Sequence, residues 1–360
     1  MKRQTLLQIV EANLNRLREG IRVVEESFRY AKDFQASFRK LRELRHKLGR
    51  LEDKLRRKLH PELFLARNLS TDTHAFCEEA QPAGLPGKFN ILTANLKRAQ
   101  EASRNLEEYL KALELSSESN AFRKIRFEIY EFERSAGEEI LKLEVARWRQ
   151  EMLVRALHAF PLCAIISEEN TTYSSPGKLA QSFYQAGGRV IQLRLKSLTA
   201  RGLTTLVKSL KENFPDLLII VNDRIDVALA GGADGVHLGA KDIPLKRARA
   251  ISAELIIGVT TRSPKLAILN EKNGADYLGV GSIFLSPTKP SARVIGIEGL
   301  KKVCKSAHIP VIAIGGIGVE NFEKVLRAGA EGIAVISALR EPASAEKLFE
   351  RVREFARKRK

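Results

Sequence analysis

Two aspartates, Asp223 and Asp242, stand 19 residues apart in the stretch VNDRIDVALAGGADGVHLGAKD (221–242). The stretch reads as strand, helix, glycine stop and strand, with one carboxylate just past each strand. Equivalent ends of neighbouring parallel strands lie side by side, so a single strand–helix–strand step can bring the two carboxylates face to face. Such a pair could hold Mg2+ on a phosphorylated substrate, or could be two helix caps. This stretch alone leaves both readings open.

Other polar residues fall at comparable places. In Gln192-Leu-Arg194-Leu-Lys196, strand alternation sends Gln192, Arg194 and Lys196 to one side. Asn222 precedes the first aspartate, Thr260 follows another apolar run, and GSIFLSPTK (281–289) adds hydroxyls and Lys289. Gly315-Gly316-Ile317-Gly318 and Ser337 follow the last two runs, positions where backbone N–H groups bind phosphate. Singly these are unremarkable, since a lone basic residue is solvated and Gly-Gly is a turn. His237, inside a strand, reads as core or as support for the site. Convergence of cations, carboxylates and glycine loops on one face points to an active site for phosphorylated substrates.

Eight elements must position these groups. Short apolar runs occur at LCAIIS (162–167), RVIQLR (189–194), LLIIV (217–221), GVHL (235–238), LIIGV (255–259), DYLGV (276–280), PVIAI (310–314) and GIAVI (332–336). They alternate with helical patterns that stop at glycine, as buried parallel strands do. Eight strand–helix steps over 160–360 predict an α/β fold, a TIM (β/α)8 barrel; a doubly wound sheet is the weaker alternative.

Residues 1–145 have a different period. Val10, Leu14, Leu17, Ile21, Val24 and Phe28 make one apolar helical seam, and a shift of 82 repeats it from Leu92 to Leu110. Polar positions recur too, as Asn13/Asn95, Arg16/Arg98, Glu19/Glu101, Arg22/Arg104, Glu25/Glu107 and Glu26/Glu108. SFRKLR (37–42) and AFRKIR (121–126) repeat at an offset of 84. Two related helical hairpins, packed as an all-α four-helix bundle, are expected over 1–145, with a linker at 146–159. Duplication from one ancestor explains both sets of repeats without a shared site. The loop RNLSTDTH (67–74) between the copies holds Arg67 and Asp72, materials of a phosphate site or of a capped turn.

Composition narrows the partners. The net charge of +18 over 360 residues raises nucleic acid, but residues 1–150 carry 30 Lys+Arg against 23 Asp+Glu, so the excess is spread over both halves. The densest basic patch, 38–58, keeps helical apolar spacing and lacks aromatic platforms for bases. Small phosphorylated molecules suit the charge better than nucleic acid does. No apolar run approaches membrane-spanning length, and three scattered cysteines, Cys77, Cys163 and Cys304, match no zinc or disulfide spacing. The expected compartment is the cytoplasm.

At QLRLK (192–196), VNDRIDVALAGGADGVHLGAKD, GADYLGVGSIFLSPTK (274–289), VIAIGGI (311–317) and AVISAL (334–339) the sequence resembles thiamine phosphate synthases. RNLSTD (67–72), ANLKRAQEASRNLEEY (94–109) and ANLNRLREGIRVVEE (12–26) resemble a helical domain found ahead of some of them, regarded as an alternative hydroxymethylpyrimidine phosphate kinase. The first resemblance implies a transferase that joins a hydroxymethylpyrimidine diphosphate to a thiazole phosphate (a carboxylated form included) and releases pyrophosphate. Gln192, Arg194, Lys196, Asn222, Thr260 and Lys289 would hold the pyrimidine diphosphate. Arg194, Lys196 and Lys289 would assist departure of pyrophosphate, and Asp223 and Asp242 would bind Mg2+. Ser286, Thr288, Gly316, Ile336 and Ser337 would hold the thiazole phosphate. The second resemblance implies ATP and Mg2+ use by the helical domain, with Arg67, Asp72, Asn95, Arg98 and Glu101 as candidate residues.

Two departures stand out. The lysine loop reads Leu285-Ser-Pro-Thr-Lys289, with serine where the family's first threonine sits. After the fifth strand stands Thr260-Thr-Arg262 instead of Ser-x-His. The related thiazole tautomerase, which relies on that histidine, is the alternative for the barrel. A purely structural role is the alternative for the helical domain.

Overall fold

The computed structural model describes residues 2–29, 34–59, 62–65, 87–172, 174–286 and 293–359. The chain divides into two compact units, Met1–Leu141 and Lys142–Lys360.

In the first unit the helices are α1 (Arg3–Arg29), α2 (Gln35–Leu59), the single turn α3 (Glu62–Leu65), α4 (Gly87–Ala112) and the start of α5 (Ser116–Ala159). The seam residues Val10, Leu14, Leu17, Ile21, Val24 and Phe28 are buried, as are their repeats Leu96, Ala99, Ser103, Leu106 and Leu110. α1 and α4 run antiparallel, since Gly20 meets Asn95 and Ala99 while Asn13 meets Asn105. A Cβ on Gly20 would stand 2.9 Å from the Asn95 carbonyl oxygen, so glycine there permits the close approach. α2 and α5 complete one apolar core through residues such as Leu41, Leu48, Phe122 and Ile129. Of the repeated surface pairs, Arg104–Glu108 is present at 3.8 Å, whereas Glu26 pairs with Arg29 at 3.2 Å.

The second unit is a closed parallel barrel in the order β1 to β8. Its strands are β1 (Leu162–Ser167), β2 (Val190–Arg194), β3 (Leu218–Asn222), β4 (Gly235–Leu238), β5 (Ile256–Thr261), β6 (Tyr277–Val280), β7 (Val311–Ile314) and β8 (Gly332–Val335). β8 pairs back onto β1, and each strand is followed by a helix. Strand residues facing outward pack with those helices in the larger core, while Cys163, Ile165, Tyr277, Ile312 and Ala334 fill the interior. Left-handed glycines sit at the predicted helix stops, at Gly187, Gly232, Gly274 and Gly329.

The expected linker at 146–159 is helical instead. It is the last part of α5, and Leu153 and Leu157 are buried in one cluster with Val190, Leu218 and Cys163, at the starts of their strands. Those leucines seal the base of the barrel, so this segment is core. Arg149 reinforces it by donating to Asp276 at 2.9 Å and to the Ala253 carbonyl oxygen. Arg249 and the Ile257 N–H also bind Asp276, and all of this lies at the end opposite the candidate site. No helix among the described residues is long and apolar enough to cross a membrane.

Candidate active site

A cavity of about 510 Å³ opens where the strands end. Its wall contains Gln192, Arg194, Lys196, Asn222, Asp223, Asp242, Thr260, Ser286, Gly316, Ile336 and Ser337, eleven positions taken from seven strand ends or following loops. Thr288 and Lys289 lie outside the described residues, as do Arg67 and Asp72 in the first unit. Asn95, Arg98 and Glu101 lie on α4; Asn95 donates within its own helix, to Ile91 O at 2.7 Å, and Arg98 and Glu101 are exposed.

Neither aspartate caps a helix. The caps that follow are Arg224 and Pro244, without side-chain capping bonds. Asp223 adopts a left-handed backbone, φ 66°, a conformation costing roughly 1–2 kcal/mol away from glycine but tolerated by aspartate. Its N–H still donates to His237 O at 2.9 Å, extending the β3–β4 ladder by one bond. Asp242 is oriented by the Gly239 N–H, which donates to Oδ2 at 2.7 Å. Partial burial, and then a hydrogen bond and like charge from Asp242, push the Asp223 carboxyl up to about 6, while Lys196 and Arg194 pull the other way.

A carboxylate pair of this kind has oxygen donors of the type a divalent cation would need. Among the described residues no group of three or more His, Cys, Asp or Glu is placed to hold a metal. Two carboxylates with open positions suit Mg2+ completed by water and phosphate oxygens, and do not suit a closed zinc site.

On β2, the Gln192 amide donates to Asn222 Oδ1 at 2.7 Å, leaving the Gln192 oxygen as acceptor and the Asn222 NH2 as donor. Arg194 lies 3.8 Å from Glu169. The turn after β2 is pinned by Glu168, which accepts from Ser197 N–H at 2.8 Å and its hydroxyl at 3.0 Å. On the far side, Gly315 (φ 108°) and Gly316 (φ 64°) follow β7. A Cβ on either would come within 2.3 Å of Ser282 Oγ or Leu285 O, so only bare backbone fits beside the cavity.

His237 and Tyr277 also line the cavity. His237 Nε2 lies 3.1 Å from Thr260 Oγ1 and Nδ1 lies 3.0 Å from the Tyr277 hydroxyl, an arrangement that supports Thr260 from beneath. Asn170 was not signalled by the sequence. Its amide donates to Ile165 O at 2.7 Å and Ile336 O at 3.2 Å, tying the β1 loop to the end of β8 across 166 positions. Lys241 and Arg262 line the cavity as well; alternation beyond Thr260 was the available signal for Arg262.

Comparison with known proteins matches this architecture. A family described as thiamine monophosphate synthase matches residues 162–339, and the ThiD2 family matches residues 8–135. A thiamine-phosphate synthase of Gloeobacter violaceus is 36% identical over 343 residues, covering 94% of this chain and 93% of its own length. One from Pyrococcus furiosus is 46% identical over 173 residues, 48% of this chain and 84% of its own length. The solved thiamine phosphate pyrophosphorylase from Pyrococcus furiosus is 38% identical with a TM-score of 0.51, covering 56% of this chain and 98% of that one. The chain therefore belongs to the thiamine-phosphate synthase family.

Proposed function

We propose that the barrel condenses 4-amino-2-methyl-5-hydroxymethylpyrimidine diphosphate with 4-methyl-5-(2-phosphoethyl)thiazole, giving thiamine phosphate and pyrophosphate. The observation that carries this reading is the shared cavity: a carboxylate pair flanked by Arg194 and Lys196, facing the glycine-built end of β7 and Ile336 and Ser337 at the end of β8. The Gln192–Asn222 pair offers one acceptor and one donor, which match the amino group and a ring nitrogen of an aminopyrimidine. Arg194 and Lys196 neutralise charge on the departing pyrophosphate, and Ser286, Gly316 and Ser337 seat the thiazole phosphate. Asp223 and Asp242 are the residues that would hold Mg2+, which when bound supplies charge neutralisation of the diphosphate. Catalysis then rests on electrostatic stabilisation and positioning, with no general base in bond formation.

The match of the first unit to the ThiD2 family supports a second activity. In this reading that unit transfers phosphate from ATP, with Mg2+, to the pyrimidine monophosphate and so makes the diphosphate the barrel consumes. One coupled assay tests both. The full chain given pyrimidine monophosphate, ATP, Mg2+ and thiazole phosphate forms thiamine phosphate if both activities are present. Product from the diphosphate alone leaves the first unit without a kinase role.

A further inference from the structure

Four basic side chains line the cavity, Arg194, Lys196, Lys241 and Arg262, against the carboxylates Asp223 and Asp242. Arg194 leans on Glu169, whereas Arg262 makes no ion pair among the described residues. Its direction follows from β5. Thr260 faces the interior beside His237. Thr261 faces outward, its hydroxyl accepting from the Asn270 amide at 2.9 Å. Residue 262 therefore returns to the cavity side, where its exposed guanidinium is found.

Strand order decides which anion this group meets. β5 pairs with β4, the strand that leads to Asp242, so Arg262 flanks the carboxylate pair on the side away from Arg194 and Lys196 on β2. The phosphate-seating ends of β7 and β8 are two and three strands further round. A multiply charged diphosphate seated over the carboxylates would have cations from β2 on one flank and a planar, bidentate donor from β5 on the other.

We propose that Arg262 is a further contact for the diphosphate, gripping the leaving pyrophosphate from the flank opposite Arg194 and Lys196, an inference that rests on the synthase reading above. The bond between the pyrimidine methylene carbon and the diphosphate oxygen breaks, and its electron pair leaves with pyrophosphate. The thiazole nitrogen lone pair then forms the new carbon–nitrogen bond. Charge grows on the leaving oxygens during the first event, where an unpaired guanidinium stabilises it most.

The test uses the full chain, inorganic pyrophosphate with Mg2+ as probe, and the variants Arg262→Gln and Arg262→Lys. Charge-assisted hydrogen bonds contribute about 1.5–3 kcal/mol, so Arg262→Gln is expected to weaken pyrophosphate binding and raise the KM for the pyrimidine diphosphate by roughly tenfold or more. Arg262→Lys should recover part of that, with the KM for thiazole phosphate within about twofold of wild type throughout. Unchanged pyrophosphate affinity in a folded Arg262→Gln variant would overturn the proposal, as would a loss confined to thiazole phosphate. Absence of turnover by the wild-type chain would strike the synthase reading instead, and the pyrophosphate titration would still decide Arg262.

Discussion

In the helical unit, Arg56 lies 2.9 Å from both Glu11 and Glu52, and the buried Arg126 lies 2.8 Å from Glu107. At the mouth of the barrel, by contrast, two carboxylates line one cavity, and partial burial with the proximity of Asp242 pushes Asp223 up to about 6. In the first region each buried charge is answered within the chain, which fixes how helices pack. In the second, two carboxylates face one another with no ion pair to either among the described residues, and Lys196 and Arg194 offset them only at longer range. Charge arranged in the first way holds a fold together; charge arranged in the second way is what a substrate site requires.

Removing the unanswered charges should cost activity with little effect on folding. Asp223→Ala or Asp242→Ala is expected to lower Mg2+-dependent thiamine phosphate formation by about 10²–10³-fold, with the far-ultraviolet dichroism retained. Near-wild-type rates with both replaced would remove the metal role and erase the contrast.

Removing an answered charge should do the reverse. Burial alone would raise the Glu107 carboxyl, yet Arg126 holds it below its ordinary value. Arg126→Met removes the shortest of that carboxylate's ion pairs, leaving Lys111 at 3.4 Å and Arg123 at 3.8 Å, and is expected to destabilise the helical unit by about 1–3 kcal/mol, seen as an earlier melting transition. Turnover of added pyrimidine diphosphate should persist at temperatures below that transition. Loss of synthase turnover with no change in melting would show that this pair serves the barrel's chemistry.

The smallest effect concerns pH. The folded Asp223 carboxyl titrates near 6, above its ordinary value, so in metal-free protein the protonated form favours folding. That contribution is complete below about pH 4 and lost as pH rises through 6. Mg2+ should therefore raise the melting temperature more at pH 7.5 than at pH 5, where protons compete for the same oxygens. A magnesium shift independent of pH would contradict the pairing.

The same contrast explains what could be read in advance. Barrel strands end at equivalent heights, so period-two alternation was enough to send Gln192, Arg194 and Lys196 to one side and to gather Asp223 and Asp242. All eight strands lay within a residue or two of their expected limits, since buried apolar runs admit few other structures. The helical seam was equally plain, but a bundle mixes structural and chemical polar residues on one face, and Asn95 spends its amide on its own helix. Asn170 escaped because its partners are contributed by β1 and by the end of β8. The segment 146–159 reads as a linker because only Arg149, Leu153 and Leu157 are buried in it, while apolar residues such as Trp148 and Val154 stand exposed and blur the helical stripe.

Arg149, Leu153 and Leu157 have a consequence for how such a two-part protein can be assembled from simpler genes. A fusion made at Pro161 would leave the barrel's underside uncovered and Asp276 without one of its two arginines. The junction that keeps the barrel whole lies ahead of Lys142, so the segment 142–159 travels with the barrel. A chimaera with another helical partner must respect that seam, because the boundary between the units falls inside α5 and not where the secondary structure changes.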